Sequence, residues 1–278
     1  MNAWETRHEM VGGIYKLLNK NASIADIDHV VSDHSFLKSD IDVASVLLLS
    51  KDGLERTSKG VMDIHLYLIH NARLKMVKHL LPAGDSILDL GGANAPLHHM
   101  GFPHAYSKIV LIDLPTEERH KDFQVALDEE GGKVFLRYED MTDLKGIPSD
   151  SVDLVWSGQS IEHVTPEQGM RMCKEAYRVL KSGGRFCLDT PNGYVSRIHA
   201  ATIGNHFIHP DHKIEYTPDQ LRLLLLDTGF VIAEEWGICE MPITCKTGTF
   251  SYDDFLVGGA ITKNIDDAYI QFFNCLKP

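Results

Sequence analysis

The chain has 278 residues and a mass of 31.1 kDa, room for one large or two small domains when a domain takes roughly 150 residues. Its 44% apolar and 24% charged content is that of an ordinary globular protein, which excludes a disordered or fibrous chain. Lys and Arg number 27 against 39 Asp and Glu, a net charge of −12, so nucleic acid and membrane are not expected as partners, because both are bound through clustered Lys and Arg.

The five cysteines, Cys173, Cys187, Cys239, Cys245 and Cys275, are irregularly spaced and form no Cys-x-x-Cys pair. They suggest neither a disulfide framework nor a thiolate zinc site, and a reducing compartment follows. Met1 to His8 lacks a basic stretch leading into an apolar one, and runs such as Val43 to Leu49 fall far short of the ~20 residues that cross a bilayer. A cytoplasmic location is the expectation.

Up to about residue 84 the apolar residues recur at helical spacing. Val61, His65, Leu68, Ile69, Ala72, Met76, Val77 and Leu80 trace one stripe, stopped by Pro82-Ala83-Gly84. Residues 1–84 therefore read as a helical N-terminal lid or extension, and 85–278 as the main domain. Ser86 to Leu90 is a continuous apolar run closed by glycines, as expected of a strand buried on both faces. Ile109–Asp113, Lys133–Tyr138, Val152–Trp156 and Gly184–Thr190 read as four more strands, with helices near 117–130 and 166–181 between them. Thr165-Pro166-Glu167-Gln168 is a helix start with a capping box, and Thr217-Pro218-Asp219-Gln220 repeats it. Tyr269 to Cys275 alternates as an antiparallel closing strand. Such alternation implies a mostly parallel sheet covered by helices, with ligands bound just after residues 90, 113, 138, 156 and 190.

The first strand runs into Asp89-Leu90-Gly91-Gly92-Ala93-Asn94-Ala95-Pro96. A dinucleotide fingerprint needs glycine at 91, 93 and 96; Ala93 and Pro96 break it, which disfavours a nicotinamide-dependent oxidoreductase. Asp89 is an acid where a pyrophosphate would be unwelcome and a sulfonium ligand with an amino group would not. Asp113 ends the second strand, where an acid can take two ribose hydroxyls. Glu139-Asp140-Met141 follows the third strand and could read an adenine edge. Glu162-His163-Val164 follows the fourth, and Asp189-Thr190-Pro191-Asn192 the fifth.

Taken in this order the motifs resemble the class I S-adenosylmethionine-dependent methyltransferases, over residues 86 to about 236. Val152-Asp153-Leu154-Val155, Glu162-His163-Val164, Arg178-Val179-Leu180 and Gly183-Gly184 look like the subgroup of ubiquinone-biosynthesis O-methyltransferases. The resemblance implies an α/β fold, a Rossmann-like, seven-stranded, mostly parallel sheet that binds S-adenosylmethionine. Asp89 and Gly91, with Gly92 and Ala93, would face its methionine moiety; Asp113, followed by Leu114, its ribose; Asp140 and Met141 its adenine; Ser157 would also line the cofactor. The usual Gly-x-Gly-x-Gly is here Gly91, Ala93 and Ala95. His209 to Thr217 is similar to the segment that supplies a metal-binding His in small-RNA terminal 2′-O-methyltransferases, and their Glu-x-x-Glu-His reads here Gln159-Ser160-Ile161-Glu162-His163. That likeness implies a divalent cation, Mg²⁺ or Mn²⁺, on Glu162, His163 and His212, with Gln159. The alternative is that His163 acts alone as general base while His212 caps a turn. His98, His99, His104, His206 and His209 receive no role.

Residues 192–216 and 238–263 have no counterpart in the shared motifs and read as substrate inserts. Tyr67, His70 and Arg73 either cover the cofactor or form a solvated helix face. The first insert carries Tyr194, Arg197, His199, Asn205, His206 and Phe207, which suits a polyhydroxylated small molecule or glycan better than a flat quinone. The expected reaction is O-methyl transfer, with His163 taking the acceptor's proton. The alternatives are a carboxylate or carbon acceptor, or a non-catalytic cofactor-binding partner protein; a homo-oligomer is left open.

Overall fold

The computed structural model describes residues 62–92, 97–115 and 132–278. The expectations for residues 1–61, for Ala93 to Pro96 and for a helix near 117–130 lie outside the described residues.

Eight strands form one sheet: β1 (Ser86–Leu90), β2 (Lys108–Asp113), β3 (Val134–Tyr138), β4 (Val152–Gly158), β5 (Leu180–Pro191), β6 (Val231–Glu240), β7 (Ile261–Thr262) and β8 (Ala268–Leu276). Their order is β3-β2-β1-β4-β5-β8-β6-β7. The first five run parallel, and β8 runs antiparallel to both β5 and β6. The mostly parallel sheet is as expected, but it has eight strands and not seven. The addition is β7, a two-residue edge strand against Gly237 and Ile238, too short to leave a periodic signature. The strand β6 also escapes the alternation rule: its pairing with β8 slips between Ile232 and Glu234, and Val231 is 50% exposed.

The helices are α1 (Met62–Leu80), α2 (Pro166–Val179), α3 (Gly193–Thr202), α4 (Pro218–Asp227), α5 (Pro242–Thr247) and α6 (Asp254–Val257). Successive β1 side chains point to opposite faces, so Ile87 joins the core cluster that holds Met76 and Val77 of α1, while Leu88 joins the one that holds Met172 and Ala176 of α2 and Leu221 of α4. Each such buried aliphatic side chain stabilises the fold by about 1.5–3 kcal/mol. Both capping boxes form: Thr165 Oγ1 accepts from Gln168 N while Gln168 Oε1 accepts from Thr165 N, and Thr217 with Gln220 does the same. No helix among the described residues is long and apolar enough to cross a membrane.

The two inserts are fastened to this frame. Asn192 Oδ1 accepts from Tyr194 N and caps α3, while its Nδ2 donates to the carbonyls of Ile265, Asp266 and Ala268 at the entry to β8. His199 of α3 stacks on Phe250 at 3.8 Å between ring centres and bonds the hydroxyls of Tyr269 and Tyr252. Expected on an acceptor-facing surface, His199 is instead buried as the joint between the two inserts.

Candidate active site

The carboxyl ends of β1, β2, β4 and β5 converge through their register: Leu90 sits beside Ile112 on one side and Ser157 on the other, and Ser157 beside Leu188. Asp89 is fully buried; its Oδ2 accepts from Leu97 N at 2.7 Å, and its Oδ1 has no hydrogen-bond partner. A Cβ on Gly92 would stand 2.6 Å from that carboxylate, so the turn closes directly over the acid. Burial pushes the Asp89 carboxyl up to about 7, with Asp113's charge adding to the effect and the Leu97 N–H and Arg73 opposing it. Gly91 has φ +72°, and a Cβ there would collide with Ser160. Ser160 Oγ donates to Leu90 O at 3.0 Å, stitching the turn after β4 to the turn after β1. Sequence reasoning gave Ser160 no role, because a serine beyond a strand carries no signal of its own.

Asp113 is buried at the end of β2 and accepts from Leu114 N at 2.7 Å; Leu114 itself is 57% exposed. Asp140 closes an exposed turn by accepting from Thr142 N, and Met141 is half-buried beside it. Ser157 is fully buried with its Oγ unpartnered. The described residues expected to line a cofactor thus all lie at the carboxyl ends of β1 to β4.

Arg73 is not on a solvated face. It is 8% exposed and grips Asp189 of β5 with two bonds, Nε to Oδ2 at 2.5 Å and Nη2 to Oδ1 at 3.0 Å. Burial opposes the guanidinium charge, but Asp189 outweighs it and holds Arg73 above its ordinary value. His70 on the same helix is exposed, and the side chain of Tyr67 lies outside the described residues. Gln159, expected as a fourth metal ligand, has φ +54° and donates its amide to Asp189 Oδ2 at 3.2 Å. The turn after β4 aims that side chain at β5.

Glu162 and His163 follow on a single 3₁₀ turn, Ile161–His163. Backbone bonds from Lys213 N and Ile214 N to Glu162 O, at 2.7 and 3.3 Å, lay the segment from His212 alongside. Glu162 is fully buried; its Oε2 accepts the Thr190 hydroxyl at 2.8 Å and its Oε1 has no partner. Burial pushes this carboxyl up to about 7. His212 is buried, with Nδ1 2.7 Å from Glu215 Oε1. Donating Nδ1–H to a carboxylate leaves Nε2 as the lone-pair nitrogen of the ring. Ligand atoms of Glu162, His163 and His212 all lie within 4.8 Å of one another. His163 faces solvent, and partial burial, then His212 and His209, hold its imidazolium below the ordinary value.

His209, given no role above, packs its ring beside this cluster. Its ring centre lies 6.0 Å from that of His163 and 5.4 Å from that of His212. The signal that could have found it is its place three residues before His212 across a Pro-Asp turn, closed by His212 N donating to His209 O. Its Nδ1 accepts from Asp211 N at 3.2 Å, which puts the proton of the neutral ring on Nε2 and makes that nitrogen a donor.

Residues 88–188 match the family model described as a methyltransferase domain. The sarcosine/dimethylglycine N-methyltransferase of Halorhodospira halochloris is 30% identical over 173 residues, 57% of this chain and 56% of that protein. A Mycobacterium tuberculosis protein carrying the name of a probable S-adenosylmethionine-dependent methyltransferase is 35% identical over 96 residues, 34% of this chain and 33% of that one. The matches therefore span between about a third and little more than half of these relatives. Among solved structures, an S-adenosylmethionine-dependent methyltransferase from Archaeoglobus fulgidus superposes with a TM-score of 0.55 at 18% identity, covering 79% of this chain and 96% of that one. The small-RNA methyltransferase HEN1 gives 0.54 at 17%, covering 74% of this chain and 24% of that one. The fold is that of the class I S-adenosylmethionine-dependent methyltransferases.

The matched domain is accordingly an enzyme's, with S-adenosylmethionine as cofactor. The residues fit that molecule. Asp89, Asp113, Glu162 and Asp189 bring four buried carboxylates around the one buried guanidinium, Arg73, at these strand ends among the described residues. Asp89 carries the fit: its Oδ1 is unpartnered, and a ligand bearing both a sulfonium and an ammonium would favour the ionised form of that carboxyl over the protonated one.

Proposed function

We propose that this methyltransferase acts on a hydroxyl of a small-molecule or glycan acceptor, held beside Glu162, His163 and His212. The observation that carries the reading is that cluster, gathered at the carboxyl end of β4 and joined there by His212 from the insert that follows β5. In the same reading Asp89, Gly91 and Gly92 hold the methionine moiety, Asp113 and Leu114 the ribose, Asp140 and Met141 the adenine, and Ser157 the floor between them. A net charge of −12 favours a soluble acceptor over nucleic acid.

Methyl transfer is an in-line displacement at a carbon already activated by the sulfonium, so the chain must align the acceptor and see its proton removed. An alkyl hydroxyl is a far weaker acid than imidazolium. A divalent cation would lower the proton affinity of that oxygen and orient it. The donors fit one: Glu162 Oε1 is buried without a partner, His212 offers Nε2, and His163 faces solvent. His163 then serves as a ligand and not as the base, since one nitrogen cannot do both.

A second reading comes from the Halorhodospira relative, whose name assigns it to sarcosine and dimethylglycine. An amine acceptor loses its proton readily and needs no cation. Chelation separates the two. EDTA-treated enzyme should lose turnover on a panel of hydroxylated acceptors and regain it with Mg²⁺ or Mn²⁺. Full turnover without metal leaves His163 as a simple base, and methylation of an amine panel alone overturns the hydroxyl reading.

A further inference from the structure

Two of the three ligand atoms in the cluster are imidazole nitrogens, and the third is a single carboxylate oxygen. Thr190 occupies Glu162 Oε2, so only Oε1 is left to face the histidines. The Gln159 amide adds no charge, and its Nε2 donates to Asp189 of β5. Magnesium demands octahedral oxygen ligands and sheds water reluctantly, whereas imidazole suits zinc, iron and nickel. Three protein ligands, with one of them, His163, at the solvent, is also the number that catalytic nitrogen-ligated sites use.

Glu215 strengthens the case. It is 1% exposed, and its Oε1 accepts both His212 Nδ1–H at 2.7 Å and Ile208 N–H at 2.9 Å. A carboxylate on the far nitrogen of a ligating imidazole fixes its tautomer, holds its ring and raises the basicity of the facing nitrogen. Glu215 also ties down the insert through Ile208 N–H, and its bond to His212 Nδ1 is the kind of partner that orients a ligating imidazole.

We propose that Glu162, His163 and His212 form a site selective for an imidazole-preferring transition-metal dication, such as Co²⁺ or Zn²⁺, over Mg²⁺, with Glu215 as the positioning residue of His212. The proposal rests on the cation-assisted reading above and names the class of ion.

The test is a titration of the metal-stripped full chain with Co²⁺, Zn²⁺ and Mg²⁺, followed by calorimetry and by the visible absorption of Co²⁺. One Co²⁺ or Zn²⁺ should bind per chain at least ~100-fold more tightly than Mg²⁺. The solvent-facing variant His163→Ala should abolish the preference. Glu215→Ala should weaken Co²⁺ binding by about 10–100-fold, and Glu215→Gln, whose amide oxygen can still accept Nδ1–H, should recover most of it. S-adenosylmethionine affinity, measured on the same variants, should not move. If Mg²⁺ binds as tightly as Co²⁺, the selectivity is overturned while the cation-assisted reading stands. If no ion binds stoichiometrically although S-adenosylmethionine does, both fall and only the methyltransferase assignment survives. A Glu215→Ala variant with undiminished Co²⁺ affinity removes Glu215 from the site.

Discussion

A carboxyl group that burial keeps protonated makes stability depend on pH in a direction opposite to that of a salt-bridged acid. Asp89 goes from an ordinary value of 3.8 to about 7 in the fold. Between those values the folded chain holds a proton that the unfolded chain has released, so this contribution is fully present below pH ~4 and is lost as pH rises through ~7. Glu162 works in the same direction. Urea midpoints of the cofactor-free protein should therefore fall between pH 5 and pH 8, and Asp89→Asn should flatten that decline; parallel slopes would refute the assignment. Cofactor affinity should move the other way, tightening as Asp89 ionises and meets the ammonium. Asp113→Ala should weaken S-adenosylmethionine binding at least tenfold, about 1.4 kcal/mol by calorimetry. Arg73→Met takes the guanidinium from buried Asp189, leaving it the Gln159 amide alone, and should cost about 3–5 kcal/mol in denaturant unfolding. Adding Asp189→Asn should return part of that loss. The sequence could not show Arg73 in this role, because the partner that buries it lies 116 residues further on.

At the level of elements, legibility followed how much of each signal was local. The parallel strands β1 and β2 announced themselves as short apolar runs because both of their faces are covered. The starts of α2 and α4 were readable to the residue because a capping box is complete within four positions. Thr165→Ala removes one half of such a box and should cost ~1 kcal/mol of stability; no measurable shift in the urea midpoint would show the cap to be redundant. The strand β6 was opaque because a bulge breaks its alternation and its outer residues are half exposed. The metal-capable cluster was named by likeness to another family and not by spacing, since only the backbone bonds from Lys213 and Ile214 to Glu162 bring His212 across. His199 was misplaced for the converse reason: a histidine among polar neighbours reads as solvated until its stacking partner, Phe250, is known.

For the molecule as a whole, the strand order carries a kinetic consequence. The strands β3, β2, β1, β4 and β5 can assemble as the chain is made, each new strand adding beside one already present or close to it. The strand β6 cannot, because its way into the sheet is through β8, which comes after it in the chain. Gln271 of β8 reaches back 80 residues to the carbonyl of Pro191, so the closing step is a long-range one and should be slow. During refolding, pulsed hydrogen exchange should find the amides of Trp236 and Ile238 protected together with those of Ile270 and Phe272, and never before them. Until residues 268–276 arrive, the open edge of β5 stands beside Asp189 and Thr190, the residues that hold Arg73, Gln159 and Glu162 in place. A nascent chain that stalls at that point would carry every group of the active centre yet lack the strand that seals it, and would be an unguarded sheet edge before it was an enzyme.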